Sequence, residues 1–247
     1  MIKYIKIPLL CFAFNSICIA QSSLDVSKLK DLEIYLNEEI RNNKAAGIEA
    51  LIYHKGEIAW HEALGFSSLQ DKQPLEKNSI YYIQSMTKPI MSVAIMQLIE
   101  KGKLRLDDNA SKYYPPLKKL EVIEDINTGI YGPTVDVKYP ITIRQLLTHT
   151  AGLSHGLEEN IFDQQLFKLM YNDLFDPAEY DILEERVEKL MQVPLIGQPG
   201  EQWYYSAAPD ILALILQKIT GQSINEYLRE NISDPLLMFD TGYNVIK

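Results

Sequence analysis

The chain has 247 residues, 47% of them hydrophobic and 23% charged, with a formal charge of −9. That composition belongs to a folding chain, long enough for one large domain with a sizeable core, and it excludes a disordered or fibrous class. The acidic balance offers no basic face to phosphates, so nucleic acid is not an expected partner.

In chain order, "MIKYIKIPLLCFAFNSICIAQS" reads first as a secretory signal peptide. Lys3 and Lys6 make the basic start, Ile7 to Ile19 a short apolar stretch, and Cys18-Ile19-Ala20 a small-residue cleavage site. A membrane anchor is the alternative, but the run is too short to span and Asn15-Ser16 interrupts it. Residues 1–20 are therefore expected to be removed and 21–247 to act in the periplasm or outside the cell, with no stable membrane span. Cleavage would take the formal charge from −9 to −11 and remove both cysteines, Cys11 and Cys18. No disulfide, thiol nucleophile or thiolate ligand would remain.

"SKLKDLEIYLNEEIRNN" spaces its apolar residues as one helix face. "GIEALIYHKGEIAWHEALGF" gives two β-rich runs about His54-Lys55-Gly56, the pattern of a hairpin. "SMTKPIMSVAIMQLIEKGKL" predicts an apolar helix from Ser85 that Gly102 can end. "LDDNASKYYPPLKKL" reads as a short helix or loop, and "NTGIYGPTVDVKYP" as a surface excursion punctuated by Gly and Pro. "TIRQLLTHTAGLSHG" predicts a short helix ended by Gly152, and "DILEERVEKLMQVPLI" an amphipathic helix stopped by Pro194. "GQPGEQWYYS" is turn-rich. "PDILALILQKITGQS" predicts a nearly all-round apolar helix, with Pro209 in its first turn and Gly221 at its end. Ser223 and Glu226 then form a capping box, and "TGYNVI" is a possible last strand.

Ser85-Met86-Thr87-Lys88 is the arrangement with chemical potential. A serine hydroxyl is a weak nucleophile until a base takes its proton. Lys88, one helical turn on, can serve if burial or the helix N-terminus lowers its pKa. The alternative is an ordinary polar helix start, and S-x-x-K is short enough to recur: Ser27-Lys28-Leu29-Lys30 matches it too, in the polar first turn of an amphipathic helix. His149 and His155 match no common zinc spacing, and His149 reads as a structural histidine.

Three ordered segments go further than the tetrapeptide. "SMTKPIMSVAIMQLIEKGKLRLDD", "ITIRQLLTHTAGLSHG" and "PGEQWYYSAAPDILALILQKITGQSINEYL" together resemble the serine β-lactamase and penicillin-binding protein superfamily. The likeness is to its class C-like branch of β-lactamase-fold esterases and D-amino-acid peptidases, over about Gly47 to Gly242. It implies a mixed α/β (α+β) fold, an antiparallel sheet flanked by helices plus a helical region. It implies Ser85 as the acylated nucleophile, Lys88 as its partner base and Tyr205 as the proton-exchanging tyrosine. Among fifteen tyrosines, the immediate competitor is Tyr204; Trp203 and Ser206 favour Tyr205. Neither metal nor cofactor is implied, and the substrate class is a small ester, a peptide or a β-lactam-like molecule.

Two departures shape the expectation. Ala207 stands where the family's second motif usually has Asn, which disfavours β-lactams and leaves esters and D-amino-acid peptides preferred. The family's third motif, a K-T-G or H-x-G strand carrying one oxyanion donor, has no counterpart after Tyr205, because Lys218-Ile219-Thr220-Gly221 reads as a helix end. The sequence thus reads as the N-terminal part of a serine hydrolase domain whose later strands are missing. The competing expectation is a non-catalytic remnant or envelope binding protein of the same fold.

Overall fold

The computed structural model describes residues 24–171 and 183–243, which form parts of two compact units, Met1–Tyr81 and Tyr82–Lys247. The signal peptide expected at 1–20, with both cysteines, lies outside the described residues.

In the first unit, helix α1 (Val26–Arg41) starts where the Asp25 carboxylate accepts from the Ser27 N–H. The Ser27 hydroxyl also donates to Asp25, at 2.6 Å, so the second S-x-x-K is part of a helix cap. Strands β1 (Gly47–His54) and β2 (Glu57–Ser68) pair antiparallel. Both residues of their connection have positive φ, 52° at Lys55 and 91° at Gly56, the geometry that a two-residue hairpin needs to follow strand twist. A third strand, β3 (Gln73–Pro74), pairs with the end of β2. Two residues, one a proline, carry no alternation from which this strand could be predicted.

The second unit is mostly helical. A 3₁₀ turn over Gln84–Met86 leads into α2 (Thr87–Glu100), so the α-helix begins two residues later than expected and Ser85 sits in its approach. Pro89 falls in the first turn of α2, where a missing N–H costs nothing. Two 3₁₀ turns follow, Ala110–Lys112 and Pro115–Lys119. The expected surface excursion is instead folded: β4 (Glu121–Ile123) pairs antiparallel with β5 (Thr134–Asp136), and Ile130 between them is buried. Gly and Pro marked its turns correctly but concealed three residues of strand.

Helix α3 (Ile143–Leu147) opens with a capping box of Thr142 and Gln145, and it is closed by Thr148 as cap rather than by Gly152. Gly152, with φ of 78°, instead lets the chain pass within touching distance of the Gly197 carbonyl. Helix α4 (Ile161–Met170), capped by Asn160, has no counterpart in the sequence reading. It buries Phe162, Leu166 and Met170 at i, i+4, i+8 spacing, a stripe that was there to be read. Helix α5 (Leu183–Leu190) agrees with its prediction where described.

Helix α6 (Ala208–Thr220) is the centre of this unit. Ala208 and the run Ile211 to Leu216 are buried, so the helix is covered nearly all round, by α2, α3 and α5 among others. Gly221 closes it in the left-handed conformation, φ 74°. Ser223 and Glu226 cap α7 (Ile224–Leu228) as expected, and a π turn over Arg229–Ser233 follows. Thr241–Tyr243 form no strand, and 244–247 lie outside the described residues. Among the described residues, no helix is long and apolar enough to cross a membrane.

Candidate active site

The contact between α2 and α6 decides where the sequence-predicted residues meet. Met91, Ala94, Ile95 and Leu98 of α2 share one buried cluster with Ile211, Leu212 and Ile215 of α6. The chain entering α2 and the chain entering α6 then lie side by side. Ser85 is on the first and Tyr205 on the second.

The Ser85 Oγ receives two hydrogen bonds, from the Lys88 Nζ at 3.0 Å and from the Tyr205 hydroxyl at 2.7 Å. The Lys88 Nζ is also 4.6 Å from the centre of the Tyr205 ring. The three residues singled out in the sequence therefore form one triangle. The residue before Ser85, Gln84, has φ of 43°, a left-handed conformation that is costly for a residue with a Cβ and that recurs where a turn must aim a functional side chain. Ser85 is exposed and Lys88 half-buried.

Charge follows from this geometry. Burial acts to raise the Tyr205 phenol, but hydrogen bonding with Lys88 and Ser85, and then the Lys88 charge, outweigh it and bring the pKa below the usual phenol value. Tyr204 is the reverse case: burial and then the nearby Glu201 push its phenol up. Its hydroxyl donates to Gln202 at 3.1 Å and packs against Gly197, where a Cβ would come within 2.6 Å of it. The structure brings Tyr205, and not Tyr204, to Ser85.

Two histidines stack against the Tyr205 ring, His149 at 5.2 Å and His155 at 5.3 Å between centroids. His149 Nδ1 accepts from the Ser206 backbone N–H at 3.2 Å and lies 2.9 Å from the Ser206 hydroxyl. A backbone N–H can only donate, so the ring is neutral on that side. Burial, then the Lys88 charge, hold both histidines below the ordinary imidazole pKa. His149 also has a left-handed backbone, φ 56°. Its ring nitrogen holds the Ser206 backbone, and its face lies against a member of the triangle. Sequence reasoning left His155 without a role; only the fold brings it to Tyr205.

Ala207 is buried and joins the apolar cluster around Phe162 and Leu166. The place where the family usually carries an amide thus faces hydrocarbon. Among the described residues, no cluster of three side chains could hold a metal ion.

The β-lactamase family profile matches residues 34–246. The chain belongs to the β-lactamase family. It is 29% identical over 226 residues to an esterase, EstB, of Burkholderia gladioli, covering 90% of this chain and 53% of that protein. Among solved structures it resembles EstCE1, described as a hydrolase with promiscuous acyltransferase activity, with a TM-score of 0.73 and 27% identity. That match covers 85% of this chain and 51% of EstCE1. It also resembles an octameric penicillin-binding protein homologue from Pyrococcus abyssi, with a TM-score of 0.63 and 26% identity over 87% of this chain and 44% of that one. The chain spans about half the length of the relatives it matches. As in those β-lactamase-family structures, its architecture is a mixed one of helices and antiparallel strands.

Proposed function

We propose that the protein is a serine hydrolase that works by acyl transfer, with Ser85 as nucleophile and Lys88 and Tyr205 as its proton-handling partners. The observation that carries this reading is the convergence of the Lys88 amine and the Tyr205 hydroxyl on one serine oxygen, at 3.0 Å and 2.7 Å.

A cation beside a phenol makes the phenolate accessible, and a phenolate 2.7 Å from a hydroxyl is placed to take its proton. Ser85 Oγ then attacks the acyl carbon, and its proton passes to Tyr205. When the tetrahedral adduct collapses, Tyr205 returns the proton to the departing alcohol or amine, which leaves an ester on Ser85. Water repeats the sequence: it gives its proton to Tyr205, attacks the ester, and Ser85 leaves with the proton. Lys88 supports these transfers by stabilising the phenolate whenever Tyr205 has given up its proton. No metal enters these steps.

An ester or a D-amino-acid peptide is preferred to a β-lactam as substrate. EstB and EstCE1, an esterase and a hydrolase by name, support the first, and Ala207, which can offer no amide to a substrate, speaks against the last. The basic and apolar segment over residues 1–20 supports a periplasmic or secreted location.

The test is covalent labelling with a fluorophosphonate. Label on Ser85 that vanishes in Ser85→Ala supports the reading. Label that persists in that variant assigns the nucleophile elsewhere, and a folded protein that takes none overturns the hydrolase reading.

A further inference from the structure

His155 lies outside the triangle, but it is the inner end of a chain of polar groups that reaches Tyr205. Its ring stacks on Tyr205 with an interplanar angle of 19° and on Tyr171 with one of 10°, at 5.3 Å and 5.9 Å between centroids. The Tyr171 oxygen is 3.4 Å from His155 Nδ1 and accepts from an Arg186 amine at 3.0 Å. The Arg186 Nε donates to Asp210 at 2.7 Å. Asp210 sits in the first turn of α6, five residues after Tyr205, so the chain of contacts returns to the segment that carries the phenol.

The partners of Tyr171 are compatible with one tautomer in particular. A guanidinium only donates, so Tyr171 accepts there and has one proton left to give. Given to His155 Nδ1, 3.4 Å away, that proton leaves the imidazole neutral with its hydrogen on Nε2. Among the described residues the charged groups bearing on this ring are Lys88 of α2, Arg186 of α5 and Asp210 of α6, and its phenol neighbours are Tyr171 and Tyr205. Lys88 and Arg186 disfavour a further positive charge on the ring, while Asp210 favours one.

We propose that His155 is a positioning residue for Tyr205: a neutral imidazole, locked in one tautomer by Tyr171, Arg186 and Asp210, that holds the phenol against Ser85. This rests on the reading of Ser85 as nucleophile. Acid that protonates the ring puts a hydrogen where Tyr171 now donates, and the clamp loosens.

The experiment measures fluorophosphonate labelling of Ser85 in the full chain, together with imidazole ¹⁵N NMR. His155→Ala is expected to slow the maximal labelling rate about tenfold, the scale on which a lost aromatic pair is felt, with the half-saturating reagent concentration unchanged. His155→Phe keeps a flat ring and is expected to recover to within about threefold of wild type. Equal loss in the Ala and Phe variants, or none in Ala, overturns the proposal. If the wild type takes no label, the nucleophile reading has failed and the NMR arm stands alone. A wild-type His155 with its proton on Nε2 that becomes a tautomer mixture in Tyr171→Phe supports the clamp, and a tautomer indifferent to Tyr171 refutes it.

Discussion

The Tyr205 hydroxyl and the Ser85 Oγ, 120 residues apart in the chain, are 2.7 Å apart in space. Nothing local brings them together. The approach depends on α2 packing against α6, and that depends on apolar residues that carry no chemistry of their own.

That distance separates two adjacent tyrosines by experiment. Tyr205→Phe removes the group that exchanges a proton with Ser85 and is expected to slow labelling and p-nitrophenyl acetate turnover by about 10²- to 10⁴-fold. Tyr204→Phe removes only a hydrogen bond to Gln202 and leaves both near wild type. The opposite ranking would transfer the role to Tyr204.

The pH dependence of labelling follows from the Tyr205 phenol lying below its usual value. Reactivity requires the phenolate, so the rate climbs as pH passes the folded pKa and levels off before pH reaches about 10, the value of a free tyrosine. Lys88→Met deletes a hydrogen bond and a charge that lower this pKa and leaves burial, which raises it. The climb then moves to higher pH. A midpoint that stays put in the variant would remove Lys88 from the phenolate's support.

Gly152 predicts a stability effect with no chemical one behind it. Its φ of 78° disfavours any Cβ, and a Cβ there would sit 2.0 Å from the Gly197 carbonyl oxygen, which is backbone and cannot rotate away. Gly152→Ala is expected to lose about 2 kcal/mol or more in urea unfolding, by strain and overpacking together. A loss under half of that would mean that the 150s and 190s loops separate easily.

The histidines set an acid limit to stability. His149 and His155 are held below their unfolded pKa of about 6.5, so at pH 7 both states carry neutral rings and stability is full. As pH falls through about 6.5 the unfolded chain takes up protons that the folded one refuses, and stability declines until the folded rings protonate too. The double variant His149→Gln, His155→Gln is expected to flatten unfolding free energy between pH 7 and 5. An unchanged slope would assign the acid sensitivity to carboxylates.

The elements legible in the sequence were those with a local cause. Lys55-Gly56 announced a hairpin, Gly221 a helix end, and Ser223 with Glu226 a capping box. Ser85, Lys88 and Tyr205 could be named together only through three ordered segments that resemble a family, since S-x-x-K occurs twice and the Ser27 copy is a helix cap. What stayed hidden had a tertiary cause. Strand β3 exists because β2 offers it an edge, and α3 stops at Leu147 because His149 turns left-handed to reach Ser206. The column from Asp210 through Arg186 and Tyr171 to His155 draws on four separate stretches, and no spacing within any of them announces it. Helix α4 differs: its apolar stripe was present and simply not read.

The left-handed backbone at His149 bears on which residue can stand there. Glycine is the residue this bend favours, and a His149→Gly change would relax the turn after α3 while stripping a ring from beside Tyr205. The bend alone thus favours glycine, while the hydrogen bonds with Ser206 and the stack on Tyr205 favour the imidazole, so one position carries two opposed demands.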